Sequence, residues 1–240
     1  SAYLSADYEK IAALEPDLIL AFSDLQAELT RELVKRGFAV FTFNQRSVAE
    51  ILDAIRVIGG IVGAGARAEA LAARFEQGLE DIRSSAGRFG ARARVHFEEW
   101  DSPLISGIRW VEELVEIAGG DPIFPGLRNA SLAADRIVDP AAVIERKPEV
   151  IIGSWCGKGV NFGKIRAREG WSGITAVRND ALYEVRSSYI LQPGPAALTE
   201  GVRQLHAILC EVAGHDVPAD LRPEKAFTRS GASKKLQRRD

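Results

Sequence analysis

The sequence contains few of the residues that mark a disulfide framework, a metal centre or a membrane span. It has two cysteines, Cys156 and Cys210, and three histidines in 240 residues. Two cysteines allow one disulfide at most, so their number does not fix the redox compartment. No apolar run approaches the roughly 18 residues that a membrane-spanning helix needs. The composition is that of an ordinary globular protein with enough apolar residues for a core.

An excess of positive charge, the usual footprint of a nucleic-acid-binding protein, is also absent. The whole chain carries a net charge of −2, but residues 222–240 hold seven Lys/Arg and two Asp/Glu, a net charge of +5, which leaves −7 for the rest. An acidic body argues against nucleic acid as a partner. The basic segment 216–240 has few large apolar residues, and we predict that it is a disordered tail.

One long amphipathic pattern organises the chain. In residues 66–86, apolar side chains recur at steps of three and four residues, which is the period of an α-helix. A short helix, a proline–acid pair and an apolar run stand on both sides of it, around Pro16 and around Pro148. Alternating helices and strands with short connections predict parallel sheets. We therefore predict an α/β fold with two Rossmann-like lobes, bridged by one long helix.

The predicted boundaries follow from this pattern. We assign residues 1–65 to the N-terminal lobe, 66–88 to the bridging helix, 89–215 to the C-terminal lobe and 216–240 to the tail. The first lobe is shorter than the second by at least one strand and one helix.

Aromatic and polar side chains are concentrated where the predicted strands end. Open parallel sheets bind ligands beyond the carboxyl ends of their strands, so these loops should face one cleft. Flat rings with a few polar groups suit a large, flat, partly apolar ligand. The candidate ligand-binding residues are Phe22, Ser23, Asp24, Asn44, Arg46, Trp100, Asp101, Trp110, Trp155, Cys156, Lys158 and Tyr189. The alternative is that two or three of the aromatic rings only complete the cores of the lobes.

Other chemistry is less well supported. The segment Gly63-Ala-Gly65-Ala-Arg-Ala68 is close to a dinucleotide fingerprint, but a helix precedes it where that motif needs a strand. Cys156 is a conceivable nucleophile, yet no histidine stands near it in the sequence. His206 and Cys210 are four residues apart on a predicted helix, and two ligands without a third favour packing over a metal. We predict neither catalytic residues nor a metal site.

Several segments together resemble the class III periplasmic substrate-binding proteins of ABC importers, the cobalamin- and siderophore-binding family. The segments are Ala12-Ala-Leu-Glu-Pro-Asp-Leu-Ile-Leu20, the glycine-rich joint 59–65, Ser106-Gly107 with Val111-Glu-Glu-Leu-Val-Glu-Ile-Ala-Gly-Gly120, and Pro148-Glu-Val-Ile-Ile152. Those that resemble the cobalamin-binding branch are Phe22-Ser-Asp-Leu-Gln-Ala-Glu28, Phe43-Asn-Gln-Arg-Ser-Val48, Gly153-Ser-Trp-Cys-Gly-Lys158 and Ile190-Leu-Gln-Pro-Gly-Pro195.

The resemblance implies a monomeric binding protein, not an enzyme, that captures a corrinoid (cobalamin, vitamin B12, or a relative) in the cleft between the lobes. It implies delivery to an ABC permease, no catalytic cofactor, and a periplasmic or membrane-anchored extracellular location, although the chain shows no signal peptide. A ferric siderophore or haem is the alternative ligand on the same fold. An enzyme that uses the same cleft is the alternative of a different class.

The resemblance also implies a glutamate on each lobe that docks arginines of the permease. Glu28 matches the first of these. The second is expected shortly before Pro193-Gly-Pro195, where Ser187-Ser-Tyr-Ile-Leu-Gln192 holds no acid, so Glu184 is the nearest candidate. The first strand and helix of the family are expected to be missing from this chain.

Overall fold

The computed structural model describes residues 5–231, which fall into two compact units with their boundary between Gln45 and Arg46. Parallel strand pairs occur in both units, and the predicted α/β class is confirmed. The boundary between the compact units, after Gln45, precedes the predicted end of the first lobe at residue 65. The physical reason is that the helix after residue 47 packs mainly against the long helix that follows it.

The smaller unit contains a parallel pair of strands and the helices that precede and connect them. Its elements are α1 (Tyr8–Ala12), β1 (Ile19–Phe22), α2 (Ala27–Lys35) and β2 (Val40–Phe43), with a 3₁₀ turn at Asp24–Gln26. Ile19 lies opposite Val40 and Phe22 opposite Phe43. Because the strands are parallel and in register, their carboxyl ends lie side by side.

The larger unit is dominated by helices around one mixed sheet. Its helices are α3 (Val48–Ile61), α4 (Gly65–Ala86), α5 (Arg109–Ala118), α6 (Pro140–Arg146), α7 (Phe162–Arg166), α8 (Thr175–Arg178), α9 (Ser187–Ile190) and α10 (Val202–Ala213), with a π-helix at Ala197–Gly201 before α10. Ser47 and Glu50, three residues apart, form the capping-box pattern in the sequence, and this box begins α3. The predicted long helix is confirmed as α4, whose buried apolar positions include Ala72, Phe75 and Leu79.

The joint between α3 and α4 explains the glycine-rich segment before the long helix. The helices approach so closely that a Cβ atom on Gly59 would lie 2.1 Å from the Cβ atom of Ala68. Gly63 has a φ angle of +70°, which a residue with a side chain rarely adopts. These glycines therefore serve a helix–helix turn, as the sequence favoured over a dinucleotide site.

The sheet of the larger unit is built around one long strand. Its strands are β3 (Ala93–Asp101), β4 (Leu104–Ser106), β5 (Gly120–Pro122), β6 (Val150–Gly153), β7 (Leu182–Glu184) and β8 (Thr228–Arg229). Strand β3 pairs in parallel with β5 and β6 and antiparallel with β4, and β6 pairs in parallel with β7. Glu98 lies opposite Gly153, which lies opposite Glu184, so three parallel strands end at one edge.

Apolar side chains cover both faces of this sheet, as a parallel sheet requires. One core cluster contains Val95 and Ile152 and the other contains Ile151 and Leu182, so neighbouring strand residues point to opposite faces. No helix in residues 5–231 is long and apolar enough to cross a membrane.

Part of the predicted tail differs from the expectation of disorder. Thr228 lies opposite Glu184 in an antiparallel pairing, so β8 extends the sheet beyond β7. Leu221 and Ser230 are buried, and this burial together with the backbone pairing orders residues up to 231. The rest of the predicted tail, residues 232–240, lies outside the described part of the chain.

Candidate ligand-binding site

The carboxyl edge of the larger sheet brings three segments together. Strand β3 ends with Trp100 and Asp101, β6 is followed by Trp155 to Lys158, and β7 ends at Glu184. The segment after β6 makes a tight turn, in which the backbone N–H of Lys158 donates to the carbonyl oxygen of Trp155 at 3.3 Å. Gly157 has a φ angle of +75° in this turn, a value that favours glycine. The turn directs Lys158 back towards the end of β3.

Lys158 is the centre of the polar arrangement at this edge. Its Nζ atom lies 2.5 Å from Asp101 Oδ1 and 3.9 Å from the centroid of the Trp100 ring. The same Nζ atom lies 4.9 Å from the centroid of the Trp155 ring. Burial tends to raise the pKa of Asp101, but the hydrogen bond and charge of Lys158 outweigh it, so the carboxyl pKa lies below its usual value.

Trp155 lies beneath this edge and belongs to the core. It is 3% exposed, and its Nε1 donates to Glu98 Oε1 at 2.8 Å. Glu98 is fully buried and receives two further bonds from the guanidinium of Arg168, at 2.6 and 2.8 Å. The structure thus places Trp155 in the core, because the indole N–H satisfies a buried carboxylate, instead of leaving its ring open to a ligand as the sequence predicts.

Trp110 also differs from the predicted ligand contact. Its ring is 3% exposed within the core of the larger unit, and its Nε1 donates to the carbonyl oxygen of Ile190 at 2.9 Å. Tyr189 is partly buried and packs against the same core. The carbonyl oxygen of Tyr189 would lie 2.4 Å from a Cβ atom on Gly201, so the glycine in the π-helix allows this close approach. Both aromatic residues therefore contribute to packing.

Cys156 and the histidine–cysteine pair have separate surroundings. Cys156 is exposed and its thiol is free. His206 Nδ1 lies 3.0 Å from the carbonyl oxygen of Ala118, and His206 Nε2 lies 3.0 Å from Ser85 Oγ. Both ring nitrogens are therefore hydrogen-bonded within the core, as expected of a histidine that packs there. Residues 5–231 contain no group of three or more His, Cys, Asp or Glu that could hold a metal ion.

In the smaller unit, the ends of β1 and β2 are joined by polar contacts. Ser23 N–H donates to the carbonyl oxygen of Phe43 at 2.6 Å, and Ser23 has a φ angle of +78°. Asp24 N–H donates to Asn44 Oδ1 at 3.3 Å. Ser23 and Gln26 have the spacing of a capping box in the sequence, but the box does not form: Ser23 N–H donates to Phe43, and Gln26 Oε1 accepts from Phe22 N–H. A non-glycine residue in the left-handed region is a backbone strain that often occurs at functional sites.

Arg46 begins the larger unit. It is partly buried, and its backbone N–H donates to Glu50 Oε2 at 2.6 Å. This bond is part of the N-terminal cap of α3, so the backbone of Arg46 stabilises the beginning of that helix. Its predicted contact with a ligand stays a prediction.

Two residues near the edge escaped sequence analysis. Lys164 on α7 lies with Nζ 3.6 Å from Asp101 Oδ2, and α7 has no periodic pattern by which it could be predicted. Glu98 is not among the candidate residues of the sequence, yet β3 extends through it and buries it fully. Val95 and Phe97 face one side of the sheet, so Glu98 faces the other; because both faces of a parallel sheet are covered, the parallel pairing is the signal that could have predicted its burial.

The two glutamates predicted to dock a permease have different surroundings. The side chain of Glu28 is 77% exposed in the first turn of α2 and lies 2.6 Å from the guanidinium of Arg31. Glu184 is partly buried, and burial raises its pKa despite a hydrogen bond from the backbone N–H of Val160. Glu184 therefore holds the segment after β6, and its docking of a permease stays a prediction.

Known proteins resemble this chain over most of its length. The family model described as "Periplasmic binding protein" matches residues 1–189. An uncharacterised ABC transporter substrate-binding lipoprotein from Bacillus subtilis is 26% identical over 216 residues, which are 84% of this chain and 64% of that protein. A vitamin B12-binding protein from Vibrio vulnificus is 25% identical over 205 residues, which are 82% of this chain and 71% of that protein. The chain thus spans less than two thirds of the Bacillus protein.

Solved structures share the fold at lower identity. A possible iron-binding (periplasmic solute-binding) protein from Staphylococcus epidermidis has a TM-score of 0.74 at 21% identity, covering 86% of this chain and 81% of that one. A periplasmic heme-binding protein in complex with two hemes has a TM-score of 0.72 at 18% identity, covering 87% and 80%. These similarities concern the fold, and the named ligands of the relatives differ: iron, heme and vitamin B12.

Proposed function

Because the chain belongs to the periplasmic binding protein family, we propose that it captures a corrinoid and delivers it to the permease of an ABC importer. The cluster of Trp100, Asp101 and Lys158 at the carboxyl ends of β3 and β6 carries the proposal. It offers an aromatic face, a carboxylate and an ammonium group within one side-chain length of each other. A flat macrocycle with polar groups at its rim needs this combination.

The similarity to a vitamin B12-binding protein supports the corrinoid among flat metal-bearing ligands. The contacts that we propose in the larger unit are Trp100 and Lys158, with Asp101 as the carboxylate that holds Lys158 in the free protein and Cys156 as an exposed neighbour. Phe22, Ser23, Asp24 and Asn44 of the smaller unit stay predicted ligand contacts. Trp110, Trp155 and Tyr189 support the site from the core.

Haem or a ferric chelate is the second candidate. Solved structures of the same fold include proteins described as heme-binding and as possibly iron-binding. The two lysines beside Asp101 also suit a ligand that carries carboxylates. We propose transport instead of catalysis for either ligand, since the family consists of substrate-binding proteins. A lipoprotein among the relatives supports a location outside the cytoplasmic membrane, and we expect a monomer that binds one ligand.

Replacement of Trp100 with Ala is expected to weaken cyanocobalamin binding by about 1–3 kcal/mol, or roughly 5- to 150-fold in Kd. The reason is the loss of an aromatic surface that stacks on the ring of the ligand. Calorimetric titration, followed in parallel through the corrin absorption bands, measures both affinity and stoichiometry. Trp100→Phe keeps an aromatic face and should retain most of the affinity. Equal binding by the wild-type protein and Trp100→Ala would contradict the proposed contact.

The same titration decides between the candidate ligands. Binding of one cyanocobalamin per chain at micromolar affinity or tighter supports the corrinoid. Failure of the wild-type chain to bind cyanocobalamin, together with one-to-one binding of haem or a ferric chelate, would replace the corrinoid with the second candidate. Chemical conversion of the bound ligand would support an enzyme instead.

Glu28 is the residue that we propose for permease docking. Replacement with Lys should leave the Kd for cyanocobalamin within about twofold, because an exposed ion pair such as Glu28–Arg31 contributes about 0–1 kcal/mol. The same variant should abolish most corrinoid-dependent growth of cells that rely on this protein, since reversed charge opposes a basic partner. Glu32→Lys on the same helix is the matched control and should support normal growth. Normal growth of the Glu28→Lys strain would exclude this role.

A further inference from the structure

The ammonium group of Lys158 occupies the place where a flat ligand would stack on Trp100. It lies 3.9 Å from the ring centroid, the distance of a cation–π contact, while Asp101 binds it at 2.5 Å. The side chain of Asp101 is 7% exposed and that of Lys158 is 39% exposed. The carboxylate is thus covered and the ammonium group forms the outer surface of this edge.

The charges at this edge do not cancel. Lys164 approaches the other oxygen of Asp101 at 3.6 Å, so two ammonium groups share one carboxylate. The side chain of Lys164 is 64% exposed. The three side chains together carry a net charge of +1, which attracts an anionic group to the end of β3.

A ligand ring that stacks on the Trp100 face covered by Lys158 must displace the ammonium group from it. That movement breaks the ion pair with Asp101 and the cation–π contact with Trp100. A neutral amide oxygen on the ligand cannot compensate for the loss of either interaction. A phosphate or carboxylate oxygen on the ligand can replace the Asp101 carboxylate, because it gives Lys158 a new charge-assisted hydrogen bond. The exchange also leaves Asp101 with Lys164, so no buried charge is left without a partner.

We propose that Lys158 determines specificity by exchanging Asp101 and the Trp100 ring for an anionic oxygen that the ligand carries beside its ring. This inference rests on the proposed function and adds the chemical class of the ligand: a flat ring with a phosphate or carboxylate arm. The phosphodiester of a complete cobalamin and a propionate of haem share this chemistry. A corrinoid without its phosphate arm lacks it.

The test compares cyanocobalamin, which has the phosphodiester, with dicyanocobinamide, which lacks it, on the full chain. Lys158→Gln should weaken cyanocobalamin binding about tenfold and should not weaken dicyanocobinamide binding, because a ligand without the phosphate gains nothing from the ammonium group. Asp101→Asn should act in the opposite direction and tighten cyanocobalamin binding by about threefold, because it removes the competitor for the ammonium group. Lys147→Gln is the matched control, because Lys147 is an exposed lysine before the amino end of β6, away from this edge, and a change of less than about threefold is expected.

A second comparison uses haem and its dimethyl ester, because esterification removes the negative charges of the propionates. If only haem binds to the wild-type chain, and Lys158→Gln weakens haem but not the ester, the corrinoid proposal fails while the role of Lys158 stands. If both corrinoids bind the wild-type chain and Lys158→Gln weakens them equally or not at all, the role of Lys158 is wrong while the proposed function stands. Failure of all four probes to bind would overturn both.

Discussion

Replacement of Arg168 with Ala is expected to lower the free energy of unfolding by about 3–5 kcal/mol. Arg168 donates two hydrogen bonds to Glu98, at 2.6 and 2.8 Å, and Glu98 has no exposed surface. Burial raises the pKa of Glu98, and the guanidinium of Arg168 opposes that rise by stabilising the carboxylate. Without Arg168, the protein must either bury an unpaired carboxylate or hold a proton on Glu98 at neutral pH.

Neighbouring groups cannot replace Arg168. His96 Nε2 lies 3.8 Å from Glu98 Oε2, but burial lowers the pKa of His96 to about 3, so this ring is neutral in the folded protein. Trp155 contributes only one neutral donor to the carboxylate. The guanidinium also lies 4.4 Å from the centroid of the Trp171 ring, so its removal leaves a gap in the core as well.

Urea denaturation followed by tryptophan fluorescence measures this loss. Arg83→Ala is the control, because Arg83 pairs with Glu80 on the surface of α4, where the two side chains are 51% and 55% exposed, and about 0–1 kcal/mol is expected. The double variant Glu98→Leu/Arg168→Met should be more stable than Arg168→Ala alone, since it removes both charges together. Equal stability of the Arg168→Ala and Arg83→Ala proteins would show that the buried pair contributes little.

A second large effect is expected from Glu112, whose carboxyl group should make stability fall as pH rises. Glu112 is 3% exposed on α5, and burial raises its pKa to about 8 from an ordinary value of 4.5. Its Oε2 atom has no hydrogen-bond partner among the described residues. A Cβ atom on Gly107 would lie 2.5 Å from Oε1, so the backbone at Gly107 closes over the carboxyl group.

The direction of the pH effect follows from proton binding. Between pH 4.5 and 8, folded Glu112 holds a proton that the unfolded chain releases. The stabilisation is therefore complete below pH 4.5, declines as pH rises and is lost above about pH 8. Glu112→Gln keeps the shape of the protonated group without titrating. The difference in unfolding free energy between this variant and the wild type should grow by about 3–4 kcal/mol from roughly pH 5 to pH 9.

Urea denaturation of both proteins at several pH values gives this difference directly. Comparing two proteins cancels the opposite effect of buried His96 and His206, whose lowered pKa values make stability rise with pH below their ordinary value of 6.5. Glu145→Gln removes an exposed carboxylate and should show no such growth. A constant difference for Glu112→Gln across the range would mean that Glu112 is ionised in the folded protein.

Local patterns in the sequence predicted much of the fold. The repeat of apolar residues gave α4, and Ser47 with Glu50 gave the beginning of α3, because both signals act within one or two helical turns. Strand β8 could not be predicted in the same way. Thr228 and Arg229 carry no strand pattern of their own, and their structure depends on pairing with β7, far away in the sequence.

The candidate site was predicted less completely for a similar reason. The rule that ligands bind beyond strand ends selected Trp100, Asp101 and Lys158, which do converge. It also selected Trp110 and Trp155, whose burial depends on partners such as Ile190 and Glu98 that are distant in the chain. Position after a strand indicates where a side chain begins, whereas long-range contacts decide whether its ring faces solvent or the core.

The pairing of β8 with β7 has a consequence for association between molecules. Without β8, the backbone of Tyr183 and Glu184 would form an open sheet border, and such a border is a template for strands of other chains. Strand β8 covers this border and is itself only two residues long, with the charged side chain of Arg229 on it. Short, charged borders resist strand addition. The last strand of the described chain therefore protects the protein from aggregation at this side of the sheet.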